Sequence, residues 1–304
     1  MNLTFENATK FYGPVIGVND VSCRIGPGVT ALFGANGAGK STLLKLASGQ
    51  LRPTLGRVRI GEHDAWSTAA KRHFGYCPDV DSFYEEMTGR QFVTTMARLY
   101  GYTRREARRR ADEALHLVGM TDRAHRRIGG YSHGMRQRTK LAQALVNDPQ
   151  VFLLDEPMAG IDPTGRREIH ALLEALAARG KTILISTHML AEVEDLADSI
   201  LMIARGRILA SGTLQEIREL LEDQPFTVAI ASERPRELAA LLVHLDDVHS
   251  VEVRQDTLIV RTRNPGQFFQ RLGELVIEHQ LTVRSLETLD AGADAVFGYL
   301  QQEA

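Results

Sequence analysis

The sequence predicts an α/β protein built on a parallel sheet, followed by a smaller α+β domain. Three observations carry this reading. An apolar run bounded by glycines, residues 29–33, is followed by a glycine-rich turn and a helix. Two further apolar runs, 151–154 and 182–186, flank a helical stretch at about 166–178; strand–helix–strand spacing of this kind implies parallel strands with covered faces. The tail after Asp223 runs through strand, helix and strand twice.

Each element has its own pattern. Alternation through Leu3-Thr4-Phe5-Glu6 and Val21-Ser22-Cys23-Arg24-Ile25 marks the first strands. Val29-Thr30-Ala31-Leu32-Phe33 reads as a buried parallel strand, and residues 41–48 as a helix, apolar at Leu43, Leu44, Leu46 and Ala47. From about 85 to 146 the chain is mostly helical, with Ala107, Ala111, Ala114, Leu115 and Val118 on one face. The run Arg104, Arg105, Arg108, Arg109, Arg110 reads as the solvated side of that helix, diluted by Glu106, Asp112 and Glu113. Ile200-Leu201-Met202-Ile203 and Arg207-Ile208-Leu209-Ala210 form a hairpin turning at Arg205-Gly206.

In the tail, strand 226–231 leads to a helix opened by Arg234-Pro235, with Leu238, Leu241, Leu242 and Leu245 on one face, and then to strand 250–254. After Gln255-Asp256 come strand 257–261, a helix after Asn264-Pro265 bearing Phe268, Leu272, Leu275 and Val276, and strand 281–284. Two β-α-β units joined by a tight hairpin give a ferredoxin-like split fold, which places a second domain at 223–304.

Bulk properties narrow the function. At 304 residues, 43% hydrophobic and 24% charged, the chain is an ordinary globular protein, neither disordered nor fibrous. A net charge of -2 gives no basic field for nucleic acid. Cys23 and Cys77 lack metal-ligand spacing and read as small buried thiols of a reducing compartment. The N-terminus lacks the pattern of a signal peptide, and no apolar run approaches the ~20 residues of a membrane span. A transport role therefore needs another polypeptide to supply the pore.

Gly34-Ala35-Asn36-Gly37-Ala38-Gly39-Lys40-Ser41, with Thr42 next, matches G-x-x-x-x-G-K-[ST] between a strand and a helix. Glycines let consecutive N–H groups converge on phosphate oxygens, and the following helix points its positive end at them. Lys40 is the candidate bridge between β- and γ-phosphates, and the Ser41 hydroxyl a candidate Mg²⁺ ligand.

Val151-Phe152-Leu153-Leu154-Asp155-Glu156 is a buried strand ending in two carboxylates. Ligands of open parallel sheets lie beyond the carboxyl ends of the strands, where the glycine loop also lies. Successive side chains diverge, so Asp155 is expected on Mg²⁺ and Glu156 on the attacking water.

Over residues 1 to about 220 the chain resembles the ATP-binding-cassette (ABC) ATPases, which gives an ATP-binding domain at 1–222. Tyr131-Ser132-His133-Gly134-Met135 is similar to that family's signature motif, and Arg136-Gln137-Arg138 continues its helix. Ala159-Gly160-Ile161-Asp162-Pro163 resembles the loop after the acidic strand, and Ser186-Thr187-His188 the switch histidine. Tyr12 sits where the family stacks a ring on adenine. The resemblance implies a phosphate-loop cassette with a parallel-sheet core, an antiparallel β part and a helical subdomain at about 85–146. It further implies ATP and Mg²⁺ as cofactors, Asp162 in the nucleotide site, and His188 on the γ-phosphate. Two copies are expected head to tail, Ser132 and the Gly134 backbone of each reaching the other's ATP.

Two departures stand out. His133 and Met135 replace a glycine and a glutamine of the signature, and Asp79, in Gly75-Tyr76-Cys77-Pro78-Asp79, replaces a glutamine that senses Mg²⁺ and water. Asp79 is expected to keep a metal-side role with altered reach. Alongside an ATPase, a nucleotide-gated scaffold with slowed hydrolysis stays open at this point.

Within the family the resemblance points to ATPase subunits of exporters, which pair with a separate integral-membrane permease. It implies a cytoplasmic chain, peripheral on the inner face of the cell membrane. Phe83-Tyr84-Glu85-Glu86-Met87-Thr88 is the segment expected to face the permease. Gly212-Thr213-Leu214 precedes the extension, whose Ser285-Leu286-Glu287 and Val296-Phe297 resemble an exporter-type ending. Bracing the dimer is the role expected of that extension.

Overall fold

The computed structural model describes residues 1–219 and 226–289. The chain divides into two compact units, Met1–Ser211 and Gly212–Ala304. The expected boundary at 222/223 and the Val296-Phe297 pair lie outside the described residues.

The first unit runs β1 (Leu3–Tyr12), β2 (Val15–Ile25), β3 (Gly28–Phe33), α1 (Lys40–Ala47), β4 (Leu55–Ile60), β5 (His63–Asp64), α2 (Thr68–Lys71) and β6 (Phe74–Cys77). It continues with α3 (Gly89–Leu99), α4 (Arg104–Leu117), α5 (His133–Leu145), β7 (Val151–Asp155), α6 (Pro163–Ala178), β8 (Thr182–Thr187), β9 (Ser199–Ala204) and β10 (Arg207–Gly212). The main sheet has the order β10-β9-β3-β8-β7-β6. In it β3 runs parallel to both β8 and β9, and β7 parallel to both β6 and β8. β7 and β8 are buried along their whole length, as parallel strands covered on both faces must be. A second, antiparallel sheet is ordered β2-β1-β4-β5.

Helix α1 lies between the two sheets, touching β7 on one side and β2 and β4 on the other. Leu43, Leu44 and Leu46 enter a core with Phe5, Val18, Val58, Ile60, Leu32, Leu153 and Leu184. That packing fixes where the amino end of α1 points. On the main sheet α6 contacts β3 and β8. α3, α4 and α5 pack on one another and form the helical part; α4 buries Ala107, Ala111, Ala114 and Leu115. Its Arg109 and Arg110 pair with Glu106 along the exposed side.

Several elements differ from the sequence expectation; β2 starts at Val15, β12 at Val248, and β14 runs Val283–Thr288. β1 continues to Tyr12 through a register shift near Asn7, whose φ is 47°. β4 and β6 were not legible: Leu-Gly-Arg of β4 is exposed, and β6 spans only four residues. α6 begins at Pro163, earlier than 166, because Asp162 caps it and proline is pre-set for a first turn. Cys23 and Cys77 are both free thiols.

The second unit holds α7 (Leu214–Glu219), β11 (Phe226–Ser232), α8 (Pro235–Leu242), β12 (Val248–Arg254), β13 (Thr257–Thr262), α9 (Pro265–Glu278) and β14 (Val283–Thr288). Strand order β12-β13-β11-β14 is that of a split β-α-β fold. Its core gathers Val228, Ile230, Leu258 and Val260 from the sheet and Leu238, Leu242, Phe268 and Leu272 from the helices. Among the described residues no helix is long and apolar enough to cross a membrane.

Candidate functional site

The loop from Gly34 to Gly39 leaves the carboxyl end of β3 and delivers Lys40 as the first residue of α1. Glycine is required at its close. Gly39 has φ 113°, and a Cβ there would stand 2.6 Å from the Gly17 carbonyl oxygen. The Lys40 side chain curls back under the loop and donates from Nζ to the carbonyls of Gly34 (2.7 Å) and Ala35 (3.3 Å). Burial disfavours its charged form and lowers its pKa, while Glu156, Asp155 and Asp79 oppose that shift. Asn36, Gly37 and Ala38 line the same turn, and Ser41 and Thr42 begin the helix.

Two parallel strands bring the acidic groups to this point. Asp155 ends β7 beside Ser186 of β8. The Ser186 hydroxyl donates to Asp155 Oδ1. Burial raises the Asp155 pKa, opposed by hydrogen bonds from Ser186 and Ser41. Glu156 leaves the strand with φ 48°, a conformation that non-glycine residues adopt at a cost. Three bonds hold it there: its N–H donates to the carbonyl (3.2 Å) and hydroxyl (3.1 Å) of Ser186, and its carbonyl accepts from Gln137 Nε2 (2.9 Å). The turn aims the carboxylate at Lys40 Nζ, 3.8 Å away, and His188 Nδ1 lies 3.0 Å from the same Oε1. Burial raises the Glu156 pKa, with His188 and Lys40 opposing.

The remaining residues fall into two groups. Tyr12 reaches the end of the loop: its hydroxyl lies 3.5 Å from Thr42 Oγ1, and its ring covers Gly17, where a Cβ would meet it at 2.6 Å. Asp79 follows β6, with its carboxylate close enough to bear electrostatically on Lys40 and Asp155. Ser132, Gly134 and Asp162 are not joined to the loop by any hydrogen bond among the described residues. Ser132 caps α5, accepting from Met135 N–H, and Asp162 caps α6, accepting from Gly165 N–H. His133 turns toward the loop after β7, its Nε2 3.2 Å from the Ala159 carbonyl, and its ring fills the space a Cβ on Gly160 would need. Met135 is buried.

Sequence reasoning missed Gly17, Ser186 as a partner of Asp155, and Gln137 and Lys140 of α5. Lys140 Nζ donates to the Asp79 carbonyl at 2.6 Å and pairs with Asp81 at 3.0 Å. Each acts on a partner distant in sequence, so no local motif marks it.

A glycine cradle at a helix start, with a buried lysine and two carboxylates beyond parallel strands, defines a phosphate-loop nucleotide-binding protein. The family model for the ABC transporter matches residues 18–159. YxlF of Bacillus subtilis (strain 168), an uncharacterized ABC transporter ATP-binding protein, is 37% identical over 230 residues, 75% of this chain and 76% of that protein. The daunorubicin/doxorubicin resistance ATP-binding protein DrrA of Streptomyces peucetius is 32% identical over 295 residues, 95% of this chain and 88% of its own length. A solved structure of an ATP binding subunit of an ABC transporter matches with TM-score 0.67 and 30% identity, over 73% of this chain and 93% of that one. The chain belongs to the ABC transporter family, as an ATP-binding subunit whose ATPase activity drives transport.

Proposed function

We propose that two copies of the chain close on ATP, that hydrolysis reopens them, and that a separate membrane permease uses this cycle for export. The convergence of Lys40, Glu156 and His188 behind the glycine loop carries the reading.

The loop N–H groups and Lys40 hold the β- and γ-phosphates. Ser41, Asp155 and Asp79 offer the oxygen ligands a hard cation needs. Among the described residues no cluster of three or more His, Cys, Asp or Glu could hold a metal unaided. Two carboxylates and a hydroxyl suit Mg²⁺, which is held by one or two carboxylates and fills its shell from phosphates and water. A Mg²⁺ ion held by these residues would supply positive charge to offset that of the phosphates. Glu156 accepts the proton of the attacking water, its raised pKa making it a stronger base than an exposed glutamate. His188 orients that carboxylate and reaches the γ-phosphate. Tyr12 stacks on the adenine.

The second copy supplies the other face. Ser132 Oγ accepts from its own helix, so its O–H is left to donate to the γ-phosphate. The Gly134 N–H and the positive end of α5 point the same way. Asp162 borders this interface by holding the loop at the start of α6. Permease contact is assigned to the segment around Tyr84, which is 65% exposed while neighbouring Phe83 packs edge-on against Phe92. The drug-resistance relative supports export, and on this reading the chain sits on the inner face of the cell membrane. Glu156→Gln tests the reading: phosphate release is lost while ATP still drives dimer formation. Release at the parental rate overturns it.

A further inference from the structure

Helix α5 faces the outer edge of the main sheet with polar side chains. β6 ends that sheet, so its outward carbonyls need partners from elsewhere. Asn147, just past α5, donates to Phe74 O at 3.3 Å, and Gln143 to Tyr76 O at 3.4 Å. The row continues past the strands, with Lys140 on Asp79 O beyond β6 and Gln137 on Glu156 O beyond β7. Neutral amides serve at three of these positions, and a charge stands at the fourth.

That charge is 2% exposed. Taking an ammonium out of water is costly unless partners compensate, and an amide would cap a carbonyl without the cost. Lys140 differs in also gripping Asp81 at 3.0 Å. One turn earlier Arg136 reaches Asp81 at 3.6 Å and Glu85 at 2.7 and 2.8 Å, its guanidinium 5.9 Å from the Phe83 ring centre. Two cations spaced i, i+4 on α5 thus hold the segment 79–85 by one carbonyl and two carboxylates. The amino end of the same helix carries Ser132, His133 and Gly134, one turn before Arg136.

We propose that Lys140 is a positioning residue for hydrolysis: by holding the Asp79 main chain it sets how far the Asp79 carboxylate reaches toward the metal side of the nucleotide, and it ties that reach to the position of α5. This rests on the metal-side role of Asp79. A shift of α5 when its amino end meets the second copy's ATP then moves Asp79 directly, through one hydrogen bond.

Lys140→Met, Asp79→Ala and their combination in the full chain test this. The readouts are kcat, KM and the affinity for a fluorescent ATP analogue with and without Mg²⁺. K140M is expected to lower kcat by about ten- to a hundredfold, as misplaced catalytic groups do. KM and Mg²⁺-free affinity stay within about twofold, and the gain in affinity on adding Mg²⁺ shrinks. Adding K140M to D79A costs nothing further, because both act through one carboxylate. Asp81→Asn, which spares the bond to the Asp79 carbonyl, keeps most of the parental kcat; a loss as large as that of K140M overturns the proposal, since the ion pair and not the carbonyl bond is then responsible. Losses that multiply in the double variant, or a K140M kcat equal to the parent's, also overturn it. If D79A itself matches the parent in every readout, the metal-side reading of Asp79 fails and this proposal fails with it.

Discussion

His188 Nδ1 stands 3.0 Å from Glu156 Oε1, the oxygen that also faces Lys40 Nζ. The histidine lies just past the end of β8 and the glutamate just past β7, so the contact exists because these strands are parallel neighbours in register, Asp155 beside Ser186. One carboxylate oxygen is oriented from both sides.

Removing the histidine leaves the carboxylate charged but free to turn. His188→Ala is expected to lower kcat by about a hundredfold or more, the range of a general-base contribution, with ATP affinity little changed. Single-turnover phosphate release alongside equilibrium ATP binding measures the two separately.

The pH dependence follows from burial. Burial raises the Glu156 pKa above the ordinary glutamate value, so the base form disappears on acidification sooner than for an exposed glutamate. The acid limb of kcat/KM against pH, which reports the free enzyme, therefore lies above that value, and a limb at or below it contradicts the assignment.

Stability carries the opposite sign. A carboxyl whose folded-state pKa is raised binds its proton more tightly in the folded chain, so its contribution is present at low pH and is lost as pH rises through the folded value. Glu156→Gln removes that penalty. Its Tm is expected to exceed the parent's above the folded-state pKa, with the gap closing below it. Melting curves across that interval decide.

Asp79→Ala is expected to raise the Mg²⁺ concentration for half-maximal ATPase activity and to lower kcat by about a hundredfold, the scale of a catalytic group put out of place. Magnesium titrations of both proteins at saturating ATP give the answer; superimposable curves exclude a metal-side role.

Gly39→Ala forces φ 113° on a residue with a Cβ and drives that carbon against the Gly17 carbonyl. Backbone strain of this kind costs about 1–3 kcal/mol. The variant is expected to melt lower and to lose ATP affinity, which thermal unfolding and nucleotide titration detect.

Much of the site was legible before any fold was known. The loop from Gly34 to Ser41 is contiguous, because curling a backbone round phosphates demands glycines at set intervals. Asp155 and Glu156 are marked by the buried strand they end. Ser132, Gly134, Asp162 and His188 needed the resemblance, since a lone serine or histidine carries no pattern. β4 and β6 were missed because one is half exposed and the other too short for a period to show.

By itself the sequence determined the parallel-sheet class, the phosphate loop, the paired carboxylates and the split β-α-β pattern of the tail, because each is written in neighbouring residues or a repeating period. Only the tertiary structure decided that His188 meets Glu156, that Ser186 holds Asp155, that Gln137 holds the Glu156 carbonyl and that Lys140 holds the Asp79 carbonyl. Those contacts join residues 19 to 61 positions apart. Two of them, from Gln137 and Lys140, end on main-chain carbonyls, which every residue type possesses and no sequence distinguishes.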